Sequence, residues 1–275
     1  MDKYSILVNT CDKFEDCWSP FFKLFTTYWK DYKGKIYLNT ENKDYFHKGL
    51  NIISVKVCQA NQNTKRLTWS ECLIRALETI EDDIVLYMQE DYFLKDTVKN
   101  DIIDDYVQLM NDNKEIDCIH LTDQSLIAEE KHSKYEKLNL VNQSQRYLVN
   151  CQVALWRKDT LKSFLRSYES AWEFEEFGSK RAAILKPSFY IVDKNWVKLN
   201  QFEIVPYIFT GIIQGRWFKE VVPLFERNEI QLDFTKRGFV QDAPKRTIKV
   251  KIKNKLKRIP IIYKNYLDLR KLSHS

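Results

Sequence analysis

Asp83-Ile84-Val85-Leu86-Tyr87-Met88-Gln89-Glu90-Asp91-Tyr92-Phe93-Leu94 decides how this chain is read. Ile84 to Met88 is an unbroken apolar run, long enough for one buried strand and too short for a typical helix. Gln89, Glu90 and Asp91 stop it, and Tyr92 to Leu94 is apolar again. Two adjacent carboxylates between apolar runs are costly to bury unless a partner compensates them. In an open α/β sheet, ligands sit outside the C-terminal ends of the strands. Mg²⁺ is commonly held there by one or two carboxylates plus substrate phosphates. The stretch therefore admits two readings. One is a cation-assisted diphosphate site at a strand end, and the other is a turn whose acids face water.

Around this centre, strand and helix patterns alternate. Tyr4 to Asn9 reads as a first strand ending in polar Asn9-Thr10-Cys11-Asp12. An apolar stripe from Trp18 through Phe21, Phe22, Phe25 and Trp29 has helical spacing, with Pro20 in the first turn. Lys35–Asn39 and Asn51–Val57 read as strands. Thr68 and Glu71 form a capping box that opens a helix, and the strand at 84–88 follows it. Thr97–Asn113 is expected as a helix and Asp117–Leu121 as a strand. Thr122–Gln145 is polar and reads as a mobile loop or lid. Tyr147–Trp156 reads as a buried strand, Lys158–Tyr168 as a helix, and Ser188–Val192 and Glu203–Val205 as short strands. A short helix, broken by Pro223, is expected over Trp217–Glu226. This alternation predicts an α/β fold, with a mostly parallel central sheet and helices on both faces.

Composition narrows the function classes. The 275 residues hold 44% apolar and 14% aromatic side chains, enough for a large core. Only six glycines are present, and neither a dinucleotide-binding G-x-G-x-x-G nor a P-loop pattern occurs. Six cysteines lack any C-x-x-C or zinc-type spacing, which predicts free thiols in a reducing, cytoplasmic compartment. No apolar run is long enough to span a bilayer, and no signal-peptide pattern opens the chain. Charge is uneven. From Lys245 onward there are eleven Lys/Arg against one acid, whereas the preceding 244 residues carry 33 basic and 37 acidic groups. The expected organisation is a catalytic domain over 1–244 and a basic tail over 245–275. Helical spacing at Leu256, Ile259, Tyr263, Tyr266 and Leu267 makes that tail a candidate for an anionic membrane surface. An inert arm is the plainer reading. Nucleic acid is not expected, because no recognised binding motif accompanies the charge.

Three blocks together resemble bacterial glycosyltransferases of the GT-A fold (family 2-like) that act in polysaccharide and lipopolysaccharide assembly. They are Ile6-Leu7-Val8-Asn9-Thr10-Cys11-Asp12 with the Trp18-Ser19-Pro20 helix start, Tyr87-Met88-Gln89-Glu90-Asp91-Tyr92-Phe93, and Trp172-Glu173-Phe174-Glu175 with Gly178-Ser179. The resemblance implies a nucleotide-sugar donor over the sheet edge and a glycan or lipid-linked acceptor. It implies that the loop from Thr10 through Asp12 to Lys13 meets the base. It also implies an acidic motif that holds Mg²⁺ or Mn²⁺ on the diphosphate. Here Asp91 would be the metal ligand, Gln89 stands where a first acid is usual, and Glu90 would replace that acid or bind the donor.

The chemistry of glycosyl transfer names further candidates. The leaving diphosphate needs charge neutralisation, to which Lys65 and Arg66 could contribute; a solvated loop pair is the plainer reading. The acceptor hydroxyl needs a base. Glu173 and Glu175 lie among Trp172, Phe174 and Phe177, where partial desolvation would raise a carboxyl pKa. Trp172 and Phe174 would offer faces to an acceptor sugar. If the segment is extended, both acids share one side; if it is helical, Trp172 pairs with Glu175 and Glu176. A Trp-x-x-Glu resemblance favours Glu175 as base with Glu173 second. An amphipathic helix start with acids at its positive end is the structural alternative. His120, at a strand end, could line the cleft, with a core or rim residue the plainer reading; Arg181, after Gly178-Ser179-Lys180, could reach a phosphate, with a surface position the plainer reading. Competing functions are nucleotidyl transfer and a non-catalytic nucleotide- or carbohydrate-binding module.

Overall fold

The computed structural model describes residues 4–59, 66–122, 126, 128–129, 134–142, 145–193, 204–242 and 248–274. Lys65 and part of the strand expected at 203–205 lie outside these residues. The first strands are β1 (Ser5–Asn9), β2 (Lys35–Asn39), β3 (Asn51–Ser54) and β4 (Ile84–Gln89). They are joined by helices α1 (Glu15–Tyr28) and α2 (Trp69–Thr79), the latter opened by the reciprocal Thr68/Glu71 capping box. α3 (Asn100–Asp112) leads to β5 (Cys118–His120). Then come β6 (Ala128–Glu129), β7 (Leu138–Val141), β8 (Ala154–Arg157) and α4 (Lys158–Ser163). α5 (Ala171–Leu185) and β9 (Phe189–Val192) complete the main sheet. A hairpin of β10 (Ile212–Ile213) and β11 (Arg216–Trp217), α6 (Val221–Arg227) and the long α7 (Ile248–Leu272) follow.

Among the described residues, nine strands form one sheet in the order β3-β2-β1-β4-β8-β5-β9-β7-β6. β1 to β4 are parallel neighbours, and so are β5 and β9. β8 runs antiparallel between β4 and β5, and β7 runs antiparallel to β9. Every residue of β1, and Ile84 to Met88 of β4, is buried. Since successive side chains point to opposite faces, both faces of the sheet centre are covered. That is why these strands read as continuous apolar runs.

Several expectations are corrected. The stretch 122–145 was expected as a loop or lid, yet it supplies β7, whose Leu138 and Val141 are buried against the sheet. Its short Leu-Asn-Leu-Val run is recruited by the free edge of β9, a long-range pairing with little local signature. The strand expected over 147–156 shrinks to β8. Residues 147–153 turn instead, beginning with a left-handed backbone at Tyr147 (φ 59°). Pro223 does not break α6 but sits in its first turn, where a missing N–H costs nothing. Arg181, expected at the surface, is fully buried. Its guanidinium meets Glu169, Asn265, the Phe164 carbonyl (2.7 Å) and Asp268 (3.0 Å). A buried charge is tolerated only with such complete pairing. Two of these partners belong to α7, so the latter half of the basic segment is docked on α5.

Candidate active site

The strand order reverses at β1. The chain leaves β1 toward β2 and β3, then crosses back to place β4 on the other side. Such a switch point opens a crevice outside the carboxyl ends of the two strands. Their last residues are in register, with Asn9 beside Asn39 on one flank and Gln89 on the other. A polar rung crosses the sheet here. Asn39 Nδ2 donates to Asn9 Oδ1 (2.7 Å), Asn9 Nδ2 to the Tyr87 hydroxyl (3.2 Å), and Gln89 Nε2 to the same hydroxyl (3.4 Å).

Above the rung lies a cleft of two lobes. The smaller, about 240 Å³, is lined by Asn9, Thr10, Cys11, Phe14 and Trp69 on one side and by Gln89, Glu90, Asp91 and the Gln214-Gly215 hairpin tip on the other. The larger, about 490 Å³, shares Gln89, Asp91, Ala171, Ile212 and Gln214, and adds Tyr92, Gln152, Trp172 and Glu175. The acids closing β4 and the tryptophan-rich acidic segment thus face one space.

Asp91 organises the wall. Its Oδ2 accepts from Thr210 Oγ1 (2.8 Å), Ile212 N (3.0 Å) and Gly211 N (3.2 Å), which pins the hairpin over the strand ends. Gly211 is required there, because a Cβ would lie 2.2 Å from the Phe93 ring. Gln214 and Gly215 both have positive φ (56° and 79°), as a two-residue hairpin turn demands. Burial pushes Glu90 well above the usual carboxylate range, and Asp91 beside it adds to the rise. Burial also raises Asp91, against the pull of its three hydrogen bonds. Two adjacent buried carboxyls resist double ionisation, and the larger upward push falls on Glu90.

These residues fit a divalent cation. Among the described residues no group of three or more His, Cys, Asp or Glu is arranged to cage a metal. However, Mg²⁺ sites commonly use one or two carboxylates and complete their shell with substrate phosphate and water. The hydrogen bonds to Asp91 converge on Oδ2 and leave Oδ1 outside them.

Glu175 is positioned by a second set of contacts. Ser170 and Glu173 form a capping box that starts α5. Close packing follows at Gly178, where a Cβ would lie 2.9 Å from Val149, and at Ser179, which accepts from Val149 N (3.1 Å). The same 149–152 turn is held by the Tyr92 hydroxyl, which donates to the Cys151 carbonyl (2.8 Å), and by Tyr207, which donates to Gln152 (2.8 Å). Cys151 N then donates to Glu175 Oε1 (2.9 Å). Burial raises the Glu175 carboxyl while these Cys151 contacts pull it down. The result is a half-buried acid at a cleft wall, beside a Trp172 that is 74% exposed.

The remaining candidates divide sharply. Thr10, Gln89, Glu90, Asp91, Trp172 and Glu175 line the cleft. Glu173 does not; it is buried under the helix start, bonded to Ser170 and to Arg258 Nε (2.6 Å), because a helix turns it away from Glu175. Phe174 is core, packed on Trp69, and offers no face to an acceptor. Asp12 accepts from the Glu41 and Asn42 amides (2.8 and 3.0 Å), tying two loops together rather than facing the cleft. Arg66 is exposed and pairs with Glu41. His120 is a core residue whose burial lowers its pKa to about 4.

One contributor escaped the sequence reading. Arg237 donates to Asp16 (2.6 Å) and to the Gly215 carbonyl (3.3 Å), and lies 4.6 Å from the Phe14 ring. It braces two residues of the smaller lobe and draws the Glu90 pKa down. Asp16 and Phe14 lie about 220 positions away in the chain, so no local pattern announces it.

No protein-family model matches the sequence, and no curated protein matches it significantly. Among solved structures, the chain is similar to Staphylococcus aureus TarS 1–349 in complex with UDP (TM-score 0.43, 10% identity, 84% of this chain and 66% of that one). It is also similar to TarS 1–349 without a named ligand (TM-score 0.41, 9% identity, 69% and 57%). The bifunctional IspDF from Campylobacter jejuni is a further neighbour (TM-score 0.34, 17% identity, 69% and 48%). The chain spans about half to two thirds of the length of these neighbours. The functional reading therefore rests on the geometry of the cleft.

Proposed function

We propose that this protein is a GT-A-like glycosyltransferase. It would move a sugar from a nucleoside-diphosphate donor to a glycan or lipid-linked acceptor in cell-surface polysaccharide synthesis, working at the cytoplasmic face of the membrane. One observation carries the reading: a buried carboxyl pair at the β1/β4 switch point and an exposed tryptophan with a half-buried glutamate share one cleft.

The division of labour follows from the lobes. The smaller lobe takes the nucleotide, with Thr10 and Gln89 at its polar floor and Trp69 and Phe14 as apolar walls. Asp91, with Glu90, would hold Mg²⁺ or Mn²⁺, which when bound neutralises the diphosphate charge. Neither lobe is lined by Lys or Arg among the described residues, which favours a cation over basic side chains in this role. The larger lobe takes the acceptor. Trp172 stacks on a sugar face, and Glu175, with its raised pKa, removes the hydroxyl proton. A base on the far side from the leaving group would give inversion.

A thermal-shift screen of nucleoside diphosphates and nucleotide sugars, with and without Mg²⁺ or Mn²⁺, tests the donor half. Stabilisation by a nucleotide diphosphate that deepens with the cation is expected. A protein indifferent to every nucleotide would end the proposal. Stabilisation by nucleoside triphosphates alone, with pyrophosphate release, would move it to nucleotidyl transfer.

A further inference from the structure

α7 is docked the wrong way round for a surface helix of a soluble protein. Three of its polar residues face the body. Asn265 is fully buried, Asp268 pairs with Arg166 and Arg181, and Arg258 reaches Glu173 and Glu176. Its apolar residues face outward. Leu256, Ile259, Tyr263, Tyr266 and Leu267 are 59%, 55%, 63%, 67% and 40% exposed. Steps of three and four place all five on one stripe. A contiguous exposed apolar stripe of this kind marks an interaction surface.

Charge selects the occupant. Lys257, Lys264 and Lys271 recur every seven residues along one border of the stripe, Lys255 lies on the other, and Arg270 extends it; all five are exposed. The single acid between residues 255 and 274, Asp268, is turned inward. A second copy of the chain would bring two such cationic stripes together, at a repulsive cost. An anionic bilayer surface satisfies both halves: apolar and tyrosine side chains enter the headgroup boundary while lysines meet lipid phosphates.

We propose that the outward stripe of α7 is an interfacial membrane-binding surface selective for anionic phospholipid. The helix lies in the plane of the interface, with its Asn265–Asp268 side clamped to the protein. Placement follows. Arg258 of the same helix lines a cavity of about 380 Å³ that also includes Trp172 and Glu175. Attachment through α7 therefore brings the acceptor end of the cleft to the lipid surface. The claim sharpens the proposed location but does not depend on the reaction, and its test reads no turnover.

Flotation of the full chain with vesicles decides it. Wild type should float with phosphatidylcholine containing about one third phosphatidylglycerol, not with phosphatidylcholine alone, and should release at roughly 1 M salt. Leu256→Ser/Ile259→Ser/Tyr263→Ser should partition about a hundredfold more weakly, with unchanged circular dichroism and Tm because these side chains are already exposed. Lys257→Gln/Lys264→Gln/Lys271→Gln should lose the preference for anionic vesicles. Phe46→Ser, at an exposed apolar residue far along the chain, should change nothing. Absence of flotation for wild type, equal flotation of the stripe variant, or a dimer in light scattering that the stripe variant abolishes would each overturn the proposal.

Discussion

Two acidic clusters with similar composition meet opposite fates in this protein. Glu90 and Asp91 close a strand, and the turn there leaves both in the smaller lobe of the cleft. Glu173, Glu175 and Glu176 sit on a helix, where each step turns the side chain by about 100°. Only Glu175 reaches the lobe that holds Asp91. Glu173 is consumed by the helix cap and Arg258, and Glu176 pairs with Lys180 and Arg258. The lesson is that acids flanked by aromatics become a paired site or a single functional group according to backbone period. Energetics follow the same split. The strand-end pair is buried and each of its carboxyls is raised, whereas Glu175 is raised by burial but is only half-buried at the cleft wall.

The largest test of this contrast is Glu175→Gln. It keeps shape and the acceptor for the Cys151 amide but removes the base. Transfer should fall by about 10³-fold, within the usual range for loss of general-base help, with nucleotide-induced thermal shifts unchanged. Turnover near wild type would remove Glu175 from the mechanism.

Asp91→Ala attacks the other cluster. It removes the side-chain acceptor of the Ile212 N–H, while Gly211 N keeps the Asp91 carbonyl (2.9 Å) and Thr210 the Ile212 carbonyl (2.9 Å), at a cost of about 2 kcal/mol. That corresponds to a fall of roughly 4 °C in Tm for a chain this size, and the response to Mn²⁺ should disappear. An unchanged Tm would mean that the hairpin does not depend on this carboxylate.

Glu90→Gln isolates the ionisation argument. A carboxyl raised on folding gives stability that is complete below its unfolded value and lost as pH rises through the native one. Wild-type Tm without metal should therefore decline as pH rises above the ordinary carboxylate range. The variant should show a shallower decline, because Asp91 and the other raised carboxyls remain. The shift that Mn²⁺ induces in wild type should grow with pH, as the cation displaces a proton. Parallel Tm–pH curves for the two proteins would contradict the burial-driven rise of Glu90.

The smallest effect belongs to Glu173→Gln. Glutamine still serves a capping box, so only the charge pairing with the half-exposed Arg258 is lost, worth under about 1 kcal/mol. Turnover should stay near wild type. A loss comparable to that of Glu175→Gln would erase the distinction between the two acids.

Much of this was legible in order of residues alone. Ile6-Leu7-Val8 and Ile84 to Met88 announced central strands because burial on both faces leaves no room for alternation. Thr68 and Glu71 announced α2 because a capping box is a local bond pattern. The acids after β4 announced a site because a strand end cannot hide two carboxyls cheaply. What local pattern could not carry was anything set by partners distant in the chain. β7 exists because β9 offers it an edge. Arg181 is buried because Asn265 and Asp268 return from α7 to meet it, and that docking is what turns the apolar stripe outward. Sequence alone determined which segments must be covered and where charge must be compensated, since those are properties of neighbouring residues. Tertiary structure decided which acid faces the cleft and which face of α7 meets the solvent, since both depend on how a helix is rotated when it packs.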